Sequence, residues 1–260
     1  MTSGKPTHAT FQRLSVEIHE SAQQMGTAAA ERAAEIVRHA TEKRGRARIV
    51  LATGTSQLPF FEALRHQQQV DWNRVTVFHM DEYVGLPATH PASFRAFLRT
   101  HVVQPLGIGT FHGIDGEPEQ VGETMQAYRR LLEEDEIDLC CMGIGENGHL
   151  AFNDPPVADF DDPQPIKVVE LDEVSRLQQV REGHFAAIEE VPTHAITLTI
   201  PTLLSAHNVQ VVVPEGRKAE AVAAALTGPI DVSCPASILR RASNAVLFLD
   251  RAAAGRLDLQ

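Results

Sequence analysis

The sequence predicts a three-layer α/β fold, ordered helix, sheet, helix, around a mainly parallel sheet. Short runs rich in β-branched residues alternate with longer amphipathic stretches, and this alternation is typical of βαβ units. Apolar residues make up 43% of the chain and charged residues 22%, as in an ordinary globular protein. Because 260 residues can bury one sizeable core, we expect a single domain over residues 1–260.

The first half of the chain is predicted to hold one long helix and three strands. The helix runs from about Glu20 to Lys43, where apolar or small residues recur at helical spacing. We interpret the whole segment Met1–Arg46 as this one element. The three strands that follow cover Ala47–Thr53, Arg74–Met80 and Ile137–Ile144.

The second half is predicted to complete a Rossmann-like sheet. Asp154–Pro165 mixes four aspartates with four prolines and predicts a surface loop between the halves, because proline lacks a ladder donor and fixes φ. The predicted strands are Ile166–Leu171, Ala195–Ile200, Val209–Val213 and Ala245–Leu249, and the predicted helices are Gly216–Leu226 and Pro235–Arg240. Open sheets of this kind bind ligands beyond the carboxyl ends of their strands, so functional groups are expected there.

Composition and charge exclude several kinds of partner. The formal net charge is −11 without a cluster of Lys and Arg, so no nucleic acid is expected to bind. No apolar run approaches the roughly 20 residues that span a bilayer, and Met1–Thr10 lacks a signal-peptide pattern, so we expect no membrane partner and a cytoplasmic location. Cys140, Cys141 and Cys234 form no disulfide framework, and none of the 12 histidines falls in an HxH or HExxH motif, so no metal site is expected.

One candidate anion site is the segment Thr53-Gly54-Thr55-Ser56, which follows a hydrophobic strand and precedes a helix. Its backbone N–H groups and hydroxyls would converge at the helix N-terminus, where the macrodipole favours a phosphate. The alternative is that its Thr and Ser side chains only cap the helix.

Titratable residues at two other strand ends are candidate catalysts. Asp81 and Glu82 are either solvated turn residues or a general base with a neighbouring carboxylate. His149 is either a core histidine or an acid–base catalyst. Three glycines just before it let the backbone approach a ligand closely, and they are Gly143, Gly145 and Gly148. Asn147 and Asp154 lie on the same stretch, and a carboxylate can hold an imidazole in one tautomer for proton transfer.

Two strings at these positions closely resemble the signature segments of glucosamine-6-phosphate deaminases. They are Met80–Leu86, which reads MDEYVGL, and Gly143–Pro155, which reads GIGENGHLAFNDP. The similarity extends from about Val50 to Asp250 and includes Val191–Leu198 (VPTHAITL) and Gly216–Ala219 (GRKA). The resemblance implies a deaminase that isomerises an amino-sugar phosphate, glucosamine 6-phosphate or a close relative, without a cofactor. It also allows a homo-oligomer.

The resemblance implies a role for each candidate. Asp81 matches the family's carboxylate that moves a proton between C2 and C1, and His149 matches the histidine that opens the sugar ring. Arg181 is the nearest match for an arginine on the family's mobile lid, and Arg176 is the second. The substrate and phosphate candidates are Thr53, Gly54, Thr55, Ser56, Glu82, Gly145 and Lys218.

The chain departs from the family beside the histidine. Many deaminases have Asp where this chain has Asn147, and most have Glu where it has Asp154. Asparagine can hydrogen-bond an imidazole but cannot take up a proton, so the acid–base support of His149 is altered here. Lys167 matches a position that some members use for an allosteric phosphate, but Pro165 replaces its basic companion. We therefore predict no strong allosteric activation.

The polar stretch Leu171–Glu190 joins two predicted strands and is the candidate lid. Two arginines and two adjacent glutamines suit a segment that orders on ligand binding. The alternative is a rigid surface helix with Leu177, Val180 and Phe185 packed on the core.

Two other functions stay open. A 6-phosphogluconolactonase would share the fold, but its histidine is usually followed by a Ser-Leu-Phe-Pro type sequence, whereas here Leu150–Asn153 (LAFN) follows. A non-catalytic sugar-phosphate sensor usually carries a DNA-binding module, and Met1–Arg46 shows no helix-turn-helix break.

Overall fold

The computed structural model describes residues 5–258, and the strands in this part of the chain form two sheets. They are β1 (Thr7–Phe11), β2 (Leu14–His19), β3 (Ala47–Leu51), β4 (Val75–His79), β5 (Asp81–Tyr83), β6 (Thr110–His112), β7 (Leu139–Met142), β8 (Ile166–Glu170), β9 (His194–Leu198), β10 (Asn208–Val213) and β11 (Ala245–Asp250). The large sheet has the order β1-β2-β11-β10-β7-β3-β4-β6, and the small sheet has the order β5-β9-β8. Only β1 and β2 pair antiparallel in the large sheet, so the predicted mainly parallel sheet is confirmed.

Helices follow most of the parallel strands. They are α1 (Ala22–Arg44), α2 (Leu58–Arg65), α3 (Phe94–Leu98), α4 (Gln104–Leu106), α5 (Val121–Glu133), α6 (Glu173–Arg181), α7 (Ile200–Leu204) and α8 (Ala219–Thr227). Short 3₁₀ turns precede α2 and α8, and the predicted helix at Pro235–Arg240 is a 3₁₀ turn over Pro235–Arg241. No helix in the described chain combines the length and the apolar character needed to cross a bilayer.

Successive residues of the central strands face different helices. In β3, Ile49 and Leu51 belong to a buried cluster with residues of α1 and α2, whereas Val50 belongs to a second cluster with residues of α5 and α8. Strand side chains alternate between the two faces of a sheet, so both faces are covered here. The predicted helix, sheet, helix order is therefore confirmed.

The interpretation of Met1–Arg46 as one helix is wrong. Within its described part, β1 and β2 form a hairpin before α1, and β2 pairs in parallel with β11. Leu14, Val16 and Ile18 are buried and alternate with more exposed polar residues, which is the period-two pattern of a strand. The first four residues of that segment lie outside the described part. The large sheet thus contains strands from both ends of the chain, while the single domain over residues 1–260 stays a prediction.

The seven strands named from the sequence all exist, and each ends within two residues of its predicted bounds. Two of them, β8 and β9, do not extend the Rossmann-like sheet as expected but form the small antiparallel sheet with β5. The chain leaves β4 at Met80 and enters β5 at once, where Asp81 is paired with Thr197 of β9. This change of sheet fixes Asp81 at the carboxyl end of β4.

The segment Asp154–Pro165 has neither helix nor strand, as predicted for a loop. Its first residue is an exception to the predicted surface position, because Asp154 is fully buried. Lys167, just after the loop, donates to the carbonyl of Val157 and to the carboxylate of Asp162. Its ammonium therefore already has hydrogen-bond partners within the protein.

Candidate active site

A cleft opens where the carboxyl ends of the neighbouring strands β10, β7, β3 and β4 meet. The turn after each strand contributes to it, and the opposite wall comes from residues 91–97 and from α6. Lining residues from the strand ends are Thr53, Gly54, Ser56, Asp81, Gly143, Gly145, His149 and Lys218. Lining residues from the opposite wall and the turn after α6 include Ala92, Phe94, Phe97, Gln178, Gln179, Glu182 and His184.

The turn after β3 has the form of an anion cradle. Gly54 has φ of 101°, a left-handed conformation that favours glycine, and it turns the chain into the helical segment that begins at Thr55. Within residues 5–258 no side chain caps this segment or α2, in contrast to the alternative in which Thr and Ser only cap the helix. Thr53 and Ser56 line the cleft, whereas Thr55 is exposed and lies outside it.

Lys218 brings a positive charge to the same cleft. It lies in the 3₁₀ turn before α8 and is 4% exposed. Its ammonium has no hydrogen-bond or ion-pair partner among residues 5–258. Burial lowers the pKa of Lys218, and the nearby charge of Glu182 opposes this. An ammonium that faces the cleft without a protein partner favours an anionic ligand.

Asp81 is the most perturbed carboxyl group in the cleft. It is 7% exposed, and burial together with the charges of Glu82 and Asp154 raises its pKa to about 8. A carboxyl group with this pKa is a much stronger base than a solvated one, which is a property of catalytic acids and bases.

Glu82 does not line the cleft, although the sequence made it a substrate-binding candidate. Its side chain is fully buried and turned toward the residues before and within α3. It accepts hydrogen bonds from the backbone N–H groups of Tyr83, Phe94 and Arg95, from the hydroxyl of Ser93 and from the guanidinium of Arg95. Glu82 therefore fixes the wall opposite the strand ends and supplies a negative charge next to Asp81.

His149 is held by a buried carboxylate. Its Nδ1 lies 2.8 Å from Oδ1 of Asp154, and the same oxygen accepts from the amide of Asn147 at 2.9 Å and from the hydroxyl of Ser175. Burial alone would raise the pKa of Asp154, but these hydrogen bonds outweigh it, and the pKa is lowered. The ionised carboxylate thus keeps the proton of the neutral imidazole on Nδ1, and Nε2 is free to exchange a proton.

Two of the glycines before His149 are required by close contacts. A Cβ atom at Gly145 would lie 2.2 Å from both Cε1 and Nε2 of His149, so the ring occupies the space of the missing side chain. Gly148 has φ of 84°, and a Cβ atom there would lie 2.8 Å from Sγ of Cys234. The missing side chain of Gly145 therefore lets the imidazole approach the backbone closely at the edge of the cleft.

The helix of the candidate lid, α6, turns its polar side toward the cleft. Ser175, Gln178 and Gln179 are 1%, 6% and 9% exposed, whereas Val174 and Leu177 on the other side are 47% and 38% exposed. A surface helix normally has the opposite arrangement. Leu177 is therefore not packed on the core, in contrast to the rigid-helix alternative. Of the other two residues that this alternative placed on the core, Phe185 is buried and Val180 is half-buried.

Neither candidate lid arginine reaches the cleft. The side chain of Arg181 is 52% exposed and donates to the carboxylate of Glu146 at 2.6 Å. Arg176 donates to the backbone carbonyls of Ile188 and Val191. Within residues 5–258, no arginine lines the cleft.

Sequence reasoning predicted a lid over this segment but did not identify which side chains of α6 face the site. Ser175, Gln178, Gln179 and Glu182 follow the spacing i, i+3, i+4, i+7, so they share one helical face. Burial would raise the pKa of Glu182, but hydrogen bonds from His184, Arg217 and Gln178 outweigh it and lower the pKa to about 2. The signal in the sequence was a set of polar residues at helical spacing on one side of the helix, with apolar residues on the other side.

Comparisons with known proteins agree with this geometry. The profile of a family described as glucosamine-6-phosphate isomerases/6-phosphogluconolactonase matches residues 20–248. Curated relatives include glucosamine-6-phosphate deaminases from Streptomyces avermitilis, 39% identical over 87% of each chain, and from Exiguobacterium sibiricum, 37% identical over 86% of this chain and 85% of that one.

Solved structures give the same result for the fold. A structure described as a monomeric glucosamine-6-phosphate deaminase superposes with a TM-score of 0.83 at 27% identity, covering 92% of this chain and 98% of that one. A 6-phosphogluconolactonase from Shewanella baltica superposes with a TM-score of 0.76 at 17% identity, covering 93% of this chain and 100% of that one. The second likeness concerns the fold alone.

Proposed function

The chain belongs to the glucosamine-6-phosphate isomerase/6-phosphogluconolactonase family, and we propose that within it this protein is a glucosamine-6-phosphate deaminase. The reaction converts glucosamine 6-phosphate, or a close amino-sugar phosphate, and water to fructose 6-phosphate and ammonia. This activity is the one named for relatives that share more than a third of their residues with the matched part of this chain.

His149 opens the sugar ring. Its free Nε2 lies at the edge of the cleft, while Nδ1 faces Asp154. Delivery of a proton to the ring oxygen, while the C1 hydroxyl loses its own, breaks the bond between C1 and the ring oxygen and leaves an aldehyde at C1. The carboxylate of Asp154 stabilises the imidazolium that exists during this exchange.

Asp81 moves a proton from C2 to C1. The proton on C2 is acidic because the aldehyde is adjacent, and its removal with protonation of O1 gives an enolamine. Return of the proton to C1 converts the enolamine to an imine at C2, and water hydrolyses the imine to a ketone and ammonia. The raised pKa of Asp81 suits the removal of a carbon-bound proton, and no step of this sequence requires a cofactor.

The phosphate is bound by the groups of the cleft that carry positive charge or favour an anion. Lys218 supplies the positive charge, and the turn Thr53–Ser56 supplies backbone N–H groups and hydroxyls at the start of a helical segment. Binding energy from this remote group orients C1 and C2 against Asp81 and His149.

The observation that carries the proposal is that a buried base, Asp81, and a carboxylate-held imidazole, His149, share one cleft with the ammonium of Lys218, which has no partner within residues 5–258. The test is incubation with glucosamine 6-phosphate and separate measurement of ammonia and fructose 6-phosphate. We expect equal amounts of both, and in D₂O we expect deuterium at C1 of the ketose. Absence of ammonia, or faster hydrolysis of 6-phosphogluconolactone, would instead support the lactonase alternative.

We further propose a cytoplasmic location and one domain over the whole chain. The three cysteines are free, and Cys140 and Cys141 are buried, which fits a reducing compartment. Whether the protein forms a homo-oligomer stays a prediction that light scattering can test.

A further inference from the structure

The inner face of α6, formed by Ser175, Gln178 and Gln179, is fixed to the turn that contains His149. The hydroxyl of Ser175 donates to Asp154 and lies 3.1 Å from Nδ1 of His149. The carboxamide oxygen of Gln178 accepts from the backbone N–H of Glu146 at 3.4 Å. These contacts determine which side of the helix is turned toward the cleft.

Gln179 is the member of the inner face without a partner. Its side chain is 9% exposed and lines the cleft, yet its carboxamide makes no hydrogen bond within residues 5–258. A carboxamide that faces the cleft and has no protein partner is available to hydrogen-bond a ligand. The unpartnered group therefore points to a ligand atom rather than to a structural contact.

Arg181 lies two residues later on α6 and is turned away. Residues two apart on a helix with 3.6 residues per turn are separated by about 200°, so Gln179 and Arg181 face opposite directions. The guanidinium of Arg181 is bound to Glu146 outside the cleft. Turning it inward would require a rotation of α6 that breaks the hydrogen bonds of Ser175 and Gln178.

We propose that Gln179, and not Arg181, is the lid residue that contacts the substrate, and that it binds hydroxyl groups of the open sugar chain. A carboxamide donates and accepts, as a hydroxyl group does, whereas an ionised phosphate is chiefly an acceptor. In this proposal the phosphate is bound by Lys218 and the turn Thr53–Ser56. This inference rests on the proposed sugar-phosphate substrate and concerns which part of it the lid recognises.

The test compares two ligands by calorimetry, a hexitol 6-phosphate and inorganic phosphate. In Gln179→Leu, which has a similar volume and no polar atoms, we expect binding of the hexitol 6-phosphate to weaken about tenfold because one hydrogen-bonded group is lost. Binding of inorganic phosphate should change by less than about twofold, since the lid does not contact it. Arg181→Gln should leave both affinities within about twofold of the original, as expected for an exposed residue.

Leu177→Ala, on the outer side of the same helix, is the control for general effects on the lid. Thermal unfolding of each variant checks the fold, and Gln179→Asn, which keeps the carboxamide but shortens its reach, replaces Gln179→Leu if that variant is unfolded. Unchanged hexitol 6-phosphate binding in the Gln179 variant overturns the inference. So does a tenfold loss of inorganic phosphate binding in Arg181→Gln. Both binding affinities are measured without turnover. Failure of this inference is therefore distinguishable from failure of the proposed deaminase reaction.

Discussion

The position of the His149 ring against Gly145 predicts a large effect of one methyl group. In Gly145→Ala, the new Cβ would lie 2.2 Å from Cε1 and Nε2 of the imidazole, whereas carbon atoms in contact are about 3.5–4.0 Å apart. The ring must therefore move by more than about 1 Å. It cannot do so freely, because Nδ1 is held by Asp154 and lies beside the hydroxyl of Ser175. A displacement of about 1 Å at a catalytic group lowers turnover by about a hundredfold.

The assay is kcat for ammonia release from glucosamine 6-phosphate, together with the affinity for inorganic phosphate. We expect kcat to fall about a hundredfold while phosphate binding is retained, since the loss concerns orientation of the imidazole. Gly122→Ala is the matched control, because within residues 5–258 no atom beyond its chain neighbours and the backbone of α5 lies within 4 Å of a Cβ placed at that position. Activity of Gly145→Ala at the level of this control would refute the reasoning that the imidazole needs this position.

Three further predictions follow from the charges and contacts of the cleft. Asp81 acts as a base only when it is ionised, and its pKa is raised to about 8, so kcat/KM should fall as the pH decreases through about 8. In Asp81→Asn, both turnover and exchange of the C2 proton with D₂O should vanish. A pH profile that is flat between 6 and 9 would contradict this role. Lys218→Met should mainly raise KM, because it removes binding common to substrate and transition state, and a fall in kcat with unchanged KM would argue against a phosphate ligand. Segment 171–190 should have the weakest hydrogen-exchange protection of any internal stretch and gain protection with a hexitol 6-phosphate, whereas equal protection with and without the ligand would remove the lid from the mechanism.

The strand ends could be predicted from the sequence because their signals are local. Val75–His79 is apolar and β-branched, and the polar residues that follow it at Asp81 mark the end of the strand. The turn before His149 was equally readable, since closely spaced glycines indicate that something approaches the backbone. In this structure the group that approaches the backbone at Gly145 is the imidazole of His149, four residues later.

The missed features depend on contacts that are distant in sequence. The alternation in Leu14–His19 is only six residues long and precedes a strong helical pattern, and its strand character is fixed by pairing with β11 at the other end of the chain. The role of Glu82 depends on five hydrogen-bond donors from residues 83–95, and no sequence pattern around Glu82 indicates them. The direction of Arg181 is set by hydrogen bonds of Ser175 and Gln178 on another face of its helix.

The arrangement of α6, with its polar side buried and its apolar side exposed, has a thermodynamic consequence. Opening this helix would expose mainly the polar groups of Ser175, Gln178 and Gln179, since Val174 and Leu177 already face water. Exposure of polar surface lowers the heat capacity slightly, whereas exposure of apolar surface raises it. The opening equilibrium should therefore have a heat-capacity change close to zero, and its logarithm should vary linearly with inverse temperature. The opening of α6 itself should therefore follow a constant enthalpy on warming, whereas the stability of the apolar clusters on the two faces of the large sheet follows the curved dependence of ordinary unfolding.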